Sequence, residues 1–257
     1  MKHGLDTYAH LKSPIHRWEP RCKLVALFAL IIAFSFVQQL LLLPAMVMVT
    51  LVYYSASQLP VSFLLSRLRY PGFFLVAIAV MLPLAVGSTI VFQIGPLAVR
   101  QEGLLALALI VTRFLCILTV GLVLFGSAPF LTNVKAMRSH GLPSVLADMT
   151  VLSYRYIEQF GDDLARMQTA MRLRGFRASK FSLRNLGILA SLAGSLLVRS
   201  YEQSEQVYKA MILRGYGHAP QRRRQQFKTR TSDVVALLVT FGVALGFVIA
   251  EMILGRY

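Results

Sequence analysis

The sequence predicts an all-α, polytopic membrane protein with about five transmembrane helices and a cytoplasmic domain of long helices. Three observations carry that expectation. Of 257 residues, 56% are apolar and only 15% charged, and the mean hydropathy of +0.61 exceeds that of ordinary soluble domains. The apolar residues fall into long uninterrupted runs. The cations lie in blocks between those runs, so the net charge of +16 reads as membrane topology rather than as a nucleic-acid surface.

Residues 1–23 form a basic N-terminal segment carrying Lys2, Lys12, Arg17, Arg21 and Lys23 against Asp6 and Glu19. No cleavable signal peptide is expected, because the first apolar run lacks a small-residue cleavage site. Leu24 to Tyr54 is apolar and too long for one span of a ~30 Å hydrocarbon core at ~1.5 Å per residue. It divides at Gln38-Gln39 into spans over 22–37 and 40–57, joined by a tight outside turn. Arg67 and Arg69 mark a cytoplasmic loop ending at Pro71, and residues 72–92 form a third span with Pro83 as a kink. An outside loop over 93–103 leads to a fourth span, 104–125, which contains Arg113. An ionisable residue inside a span is a candidate functional site, and the other reading of Arg113 is internal pairing with backbone carbonyls or snorkelling.

The chain thus divides into a cytoplasmic N-terminal segment (1–23), transmembrane helices over 24–126, a cytoplasmic helical domain over 127–232, and a last transmembrane helix over 233–257. The third part holds seventeen of the 27 Lys and Arg. Within it, residues 129–140 form a short amphipathic helix stopped by Gly141. Pro143 opens a long helix whose stripe of Leu146, Met149, Leu152, Tyr156, Phe160, Leu164 and Met167 predicts a packed face. A second long helix over 183–214 places Gly187, Ala190, Ala193 and Gly194 at close-packing spacing. A basic tail with Arg222-Arg223-Arg224 suits anionic lipid headgroups. In the last span, Gly242 and Gly246 suggest a packing face, and Glu251 lies near the outer end. The cation count puts the N-terminus inside the cytoplasmic membrane.

One pattern occurs twice. Ala170-Met-Arg-Leu-Arg-Gly-Phe176 and Ala210-Met-Ile-Leu-Arg-Gly-Tyr216 agree in register, each closing a long helix. Gly175 and Gly215 suit the left-handed C′ position of a Schellman stop, with Met171 and Met211 as C3 and Phe176 and Tyr216 as C″. A helix stop does not require Arg174 and Arg214, so the repeat points to two helix tips that offer guanidinium groups to a partner.

Familiar catalytic devices are missing from the sequence. It contains no Gly-rich phosphate loop ending in Lys-Ser or Lys-Thr and no His-Glu-x-x-His. Cys22 and Cys116 are far apart, and the five histidines have no ligand spacing. No catalytic residue, metal ligand or cofactor is therefore assigned, and energy for any transport comes from a partner.

The spans, the two Leu-Arg-Gly tips and the Glu19-Pro20-Arg21-Cys22-Lys23-Leu24 entry to the first span together resemble the transmembrane coupling subunit (T component, CbiQ family) of energy-coupling-factor transporters. Within it, the cobalt or nickel subgroup is the nearest match. The family carries Asp-Pro-Arg-x-Lys-Leu at the entry and two Ala-Arg-Gly signatures that dock on a pair of ATPase subunits. The resemblance implies that Met171, Leu173, Arg174, Gly175, Phe176, Met211, Leu213, Arg214, Gly215 and Tyr216 form the ATPase-coupling tips, Leu replacing the family's Ala. It implies two ATP-binding subunits and a separate substrate-binding membrane subunit as partners, besides lipid, and uptake of cobalt or nickel in a prokaryote's inner membrane. The alternative function is a membrane scaffold or lipid-interacting protein with no ATPase partner.

Overall fold

The computed structural model describes residues 11, 13–85, 90–94, 97–176, 183–216 and 230–255. These build nine α-helices: α1 (Pro14–Arg17), α2 (Pro20–Phe36), α3 (Leu43–Ser57), α4 (Val61–Ala85), α5 (Gln101–Gly126), α6 (Phe130–Ser139), α7 (Ser144–Leu173), α8 (Leu183–Leu213) and α9 (Thr231–Leu254). A 3-10 turn, Leu40–Leu42, leads into α3. The chain separates into two units, residues 1–142 with 227–257 and residues 143–226.

The first unit is organised around α2. Leu27, Leu30, Ala33 and Phe34 recur along one face of this helix and are almost fully buried. They meet Val120, Val123 and Leu124 of α5, Met46 of α3, and Ala244 and Phe247 of α9. Phe34 stands edge-on to Phe247 with ring centres 5.2 Å apart, an aromatic geometry worth ~0.5–1.5 kcal/mol beyond its area.

Hydrogen bonds at both ends fix how α2 and α9 run. Trp18, just before α2, donates from Nε1 to the Asp233 carbonyl at the start of α9, at 3.2 Å. At the far end the Gln39 amide donates to Glu251 Oε2 at 3.3 Å, and Gln39 Nε2 to the Leu254 carbonyl at 3.5 Å. Start meets start and end meets end, so α2 and α9 are parallel. Between apolar helices in lipid there is little hydrophobic drive, and such polar links together with close packing hold the pair.

Among the described residues, four helical stretches are long and apolar enough to cross a membrane: Leu40–Ser57, Val61–Pro83, Gln101–Gly126 and Thr231–Leu254. The expected first span, α2, has 17 residues, the lower edge of the ~17–25 that suffice. α5, α6 and α9 pack against it, while Phe28, Ile32 and Phe36 leave one apolar row exposed. Large apolar side chains such as Met48, Phe73, Phe74, Leu238 and Met252 are exposed on those four stretches, as lipid-facing side chains are.

Three expectations need correction. The helix α4 starts at Val61, not at 72, and runs through Pro71. Arg67 and Arg69 are therefore helical. A proline removes only its own backbone donor, and its clash with the preceding turn is tolerated in membrane helices where the freed groups find other partners. The region read as the end of the third span and an outside loop forms two antiparallel strands, β1 (Ile90–Ile94) and β2 (Leu97–Arg100), in an otherwise helical fold. Finally, a Cβ built on Gly187, Gly194, Gly242 or Gly246 meets nothing within 4 Å, so the small-residue faces are not packed against anything described.

Candidate functional site

In the second unit, the tips are built by local backbone chemistry. At the end of α7 the Phe176 amide donates to the Met171 carbonyl and the Gly175 amide to the Arg172 carbonyl, both at 3.0 Å. At the end of α8 the Tyr216 amide donates to Met211 at 3.0 Å and the Gly215 amide to Ile212 at 2.8 Å. This 6→1 with 5→2 pairing is the Schellman motif. Gly175 and Gly215 adopt φ of +84° and +76°. No neighbour lies within 4 Å of a Cβ built on either, so the glycines are required for backbone conformation and not for space.

The side chains carried by the two stops are alike. Arg174 and Arg214 are exposed. Beside them, Leu173 is 84% and Leu213 88% exposed, whereas Met171, Phe176 and Met211 are half-buried. The last residue of each long helix thus presents an exposed apolar side chain beside the arginine. Sequence reasoning assigned the apolar contact to the Met and aromatic residues.

Two polar contacts set the direction of α8 against α7. Tyr216 Oη donates to Asp148 Oδ2 at 3.0 Å, which ties the end of α8 to the start of α7. Midway, Arg199 Nε lies 3.5 Å from the buried Asp163 carboxylate. The helices are therefore antiparallel, and the tips sit at opposite ends. At ~1.5 Å per residue, the 26 steps from Asp148 to Arg174 separate them by roughly 40 Å. The apolar stripe of α7 is only partly covered. Leu152, Tyr156, Phe160, Leu164 and Met167 are half-buried, but Leu146 and Met149 remain 50% and 58% exposed. A helix pair leaves outward whatever its single partner does not reach.

Arg113 lies in the first unit. Its guanidinium donates from Nη1 to the Ser35 carbonyl at 3.4 Å and the Val37 carbonyl at 3.3 Å. These carbonyls end α2, where helical acceptors lack partners and the dipole favours a cation. Arg113, in the middle of the α5 sequence, is thus level with the end of the shorter α2.

The residue that sequence reasoning missed is Lys23. Counted among the basic residues of the N-terminal segment, it has no exposed surface at all. Its Nζ donates to the Ser127 carbonyl at 3.2 Å and to Ser127 Oγ at 3.0 Å. Lys23 and Arg113 thus hold the two ends of α2 to the end and the middle of the antiparallel α5. The signal was there: Lys23 lies one turn inside the helix that Pro20 opens at its first position. Among the described residues, no group of three or more His, Cys, Asp or Glu could hold a metal ion. The linker and tail residues 177–182 and 217–229, with Lys180 and Arg222-Arg223-Arg224, lie outside the described residues.

Fold and tips define a polytopic α-helical membrane protein that carries a two-tipped pair of amphipathic helices. Residues 11–227 match the sequence model of the CbiQ family, described as a cobalt transport protein, and the chain belongs to that family. It is similar over nearly its whole length to proteins named energy-coupling factor transporter transmembrane protein EcfT. The relative from Listeria innocua is 29% identical over 255 residues, 94% of this chain and 95% of the relative. Those from Limosilactobacillus fermentum and Heliobacterium modesticaldum are 24% and 27% identical, covering 96% and 86% of this chain and 97% and 87% of theirs.

Proposed function

We propose that this chain is the non-catalytic transmembrane coupling subunit of an ATP-driven energy-coupling-factor importer. The observation that carries the reading is the pair of like tips, each an exposed Leu-Arg on a Schellman stop, at opposite ends of the antiparallel α7 and α8. Antiparallel helices with like ends are approximately two-fold related, which suits two copies of one soluble partner. Each tip docks in a groove of one ATP-binding subunit. The guanidinium of Arg174 or Arg214 bonds a carboxylate or carbonyl there, a task for which its fixed fork and permanent charge suit it, and Leu173 or Leu213 fills the apolar part.

Closure of the ATPase pair on ATP changes the spacing of the tips. The helices pass that motion to a separate substrate-binding membrane subunit. The uncovered part of the α7 stripe and the small residues of α8 offer that subunit a surface. The family description favours cobalt as cargo, with nickel the neighbouring choice. In this reading the chain sits in a prokaryotic cytoplasmic membrane with the N-terminus and both tips inside. A thiol reagent confined to the outside then labels a cysteine at Gln101 and spares one at Lys180, and labelling at Lys180 contradicts the orientation.

Cysteine cross-linking tests the docking. Leu173→Cys and Leu213→Cys, each expressed with the candidate ATPase subunits, are expected to give one cross-linked product per tip whose yield changes with ATP. A protein that assembles but gives no ATPase adduct from either position rules the reading out and favours a membrane scaffold.

A further inference from the structure

One concavity in the unit made by residues 1–142 and 227–257 has the make-up of a ligand site apart from the tips. It is an open groove of about 1010 Å³ beside α1, between α3 and α9. Val52, Tyr53 and Ala56 form one wall, and Val235, Ala236 and Val239 the other. Where the walls meet, Tyr53 Oη and Thr240 Oγ1 are 2.6 Å apart, joining α3 to α9. Arg17 and Arg230 line the same groove, and both are exposed.

Charge and apolar surface are separated along this groove. From Arg230 to Val239 is ~14 Å at 1.5 Å per residue, so the cation and the inner apolar wall are an acyl-chain segment apart. Asp233 also lines the groove, but it is buried. Its Oδ2 accepts the Arg230 amide at 3.0 Å, and its carbonyl accepts Trp18 Nε1 at 3.2 Å. The exposed charge of the lining is therefore positive. α3 and α9, which supply the walls, are both long and apolar enough to cross a membrane, α3 with the preceding 3-10 turn.

We propose that the groove binds one anionic phospholipid, its phosphate held by Arg17 and Arg230 and an acyl chain laid along Val52, Ala56, Val235 and Val239. A soluble anion would leave the apolar walls unused, and a zwitterionic lipid would gain less from the two guanidinium groups. The lipid would tie α1 and the start of α9 to the membrane surface at one point.

Native mass spectrometry of the full chain, released from bilayers of equal phosphatidylglycerol and phosphatidylcholine with identical chains, reads the selectivity. The wild type is expected to retain one phosphatidylglycerol in strong preference. Arg17→Gln with Arg230→Gln should lower that preference by about thirtyfold, the increment for two surface cations against an anionic leaflet. Both positions are exposed, so the fold should survive the change. Ala236→Phe, which fills the groove, should reduce retention of both lipids. Equal retention of the two lipids by wild type, or undiminished preference in the double variant, overturns the proposal. In the assembled complex, a cysteine at Val235 should be captured by a lipid bearing a thiol-reactive group on its acyl chain. Capture by a protein subunit instead, or displacement of the lipid by millimolar glycerol phosphate, also overturns it.

Discussion

Replacing Ser127 by alanine tests whether the buried Lys23 contact holds α2 to the end of α5. Lys23 is without exposed surface, and two of its donor directions end on Ser127, on the carbonyl at 3.2 Å and on Oγ at 3.0 Å. Ser127→Ala deletes the shorter bond and leaves a buried ammonium with one acceptor fewer. A hydrogen bond to a charged group contributes ~1.5–3 kcal/mol. In a protein of this size each kcal/mol moves the melting temperature by ~2–4 °C, so the drop should be about 3–12 °C. The assay is thermal unfolding in detergent, followed by size-exclusion of the surviving folded fraction. Lys23→Met supplies the control. With the ammonium gone, Ser127→Ala should cost less than ~0.5 kcal/mol, and the cycle should return a coupling of about 1–3 kcal/mol. Additive losses, or a Ser127→Ala shift under 1 °C, would refute the claim that the contact joins the two helices.

Two further outcomes are expected. Arg113→Gln should lower the melting temperature by a few degrees through the unpaired carbonyls at the end of α2, while the protein that assembles still transports; normal assembly with abolished uptake would make Arg113 part of the mechanism. Gly175→Ala and Gly215→Ala meet no steric obstacle but force an L-residue into the left-handed region at ~1–2 kcal/mol, so circular dichroism should keep its helical amplitude while ATPase association weakens. An unchanged association would show that the stop geometry does not matter to docking.

Much of the fold was legible because the membrane simplifies the code. Most apolar runs are helices, the run ending at 92 closing as strand β1, Gln38-Gln39 faces a turn, and Gly141, Gly175 and Gly215 are readable as stops from sequence alone, since Schellman chemistry is local. The limits of α4 were not legible. Arg67, Arg69 and Pro71 looked like a loop to a reading that treats charge and proline as breaks, although a helix can extend beyond the bilayer with both. Lys23 was hidden by the same logic, because counting charges says on which side of the membrane a cation lies and not whether its amine is buried against Ser127. The small-residue faces of α8 and α9 show the converse failure. Glycine spacing says that a helix can approach closely, not that this chain supplies that helix.

The tips are legible as a repeat, and Leu173 and Leu213 are among the ten residues it marks, but nothing in the repeat says that they are its most exposed apolar side chains. Their exposure depends on how α7 and α8 pair, through Tyr216 with Asp148 and Arg199 with Asp163, and such long-range contacts are not written in any single stretch.

The central claim is that Arg174 and Arg214 are docking groups and not only cations that complement helix ends. The magnitudes separate these roles: a cation at a helix end contributes ~0.3–1 kcal/mol, whereas truncating one partner of a desolvated charge pair costs ~2–5 kcal/mol. The most direct measurement is the amount of ATPase that co-purifies with the full-length membrane protein, wild type against Arg174→Ala/Arg214→Ala, alongside uptake by the same cells. The account predicts a folded membrane protein stripped of its ATPase and without transport. A double variant that keeps both its ATPase and full uptake would contradict it, leaving the two tips as helix stops and nothing more.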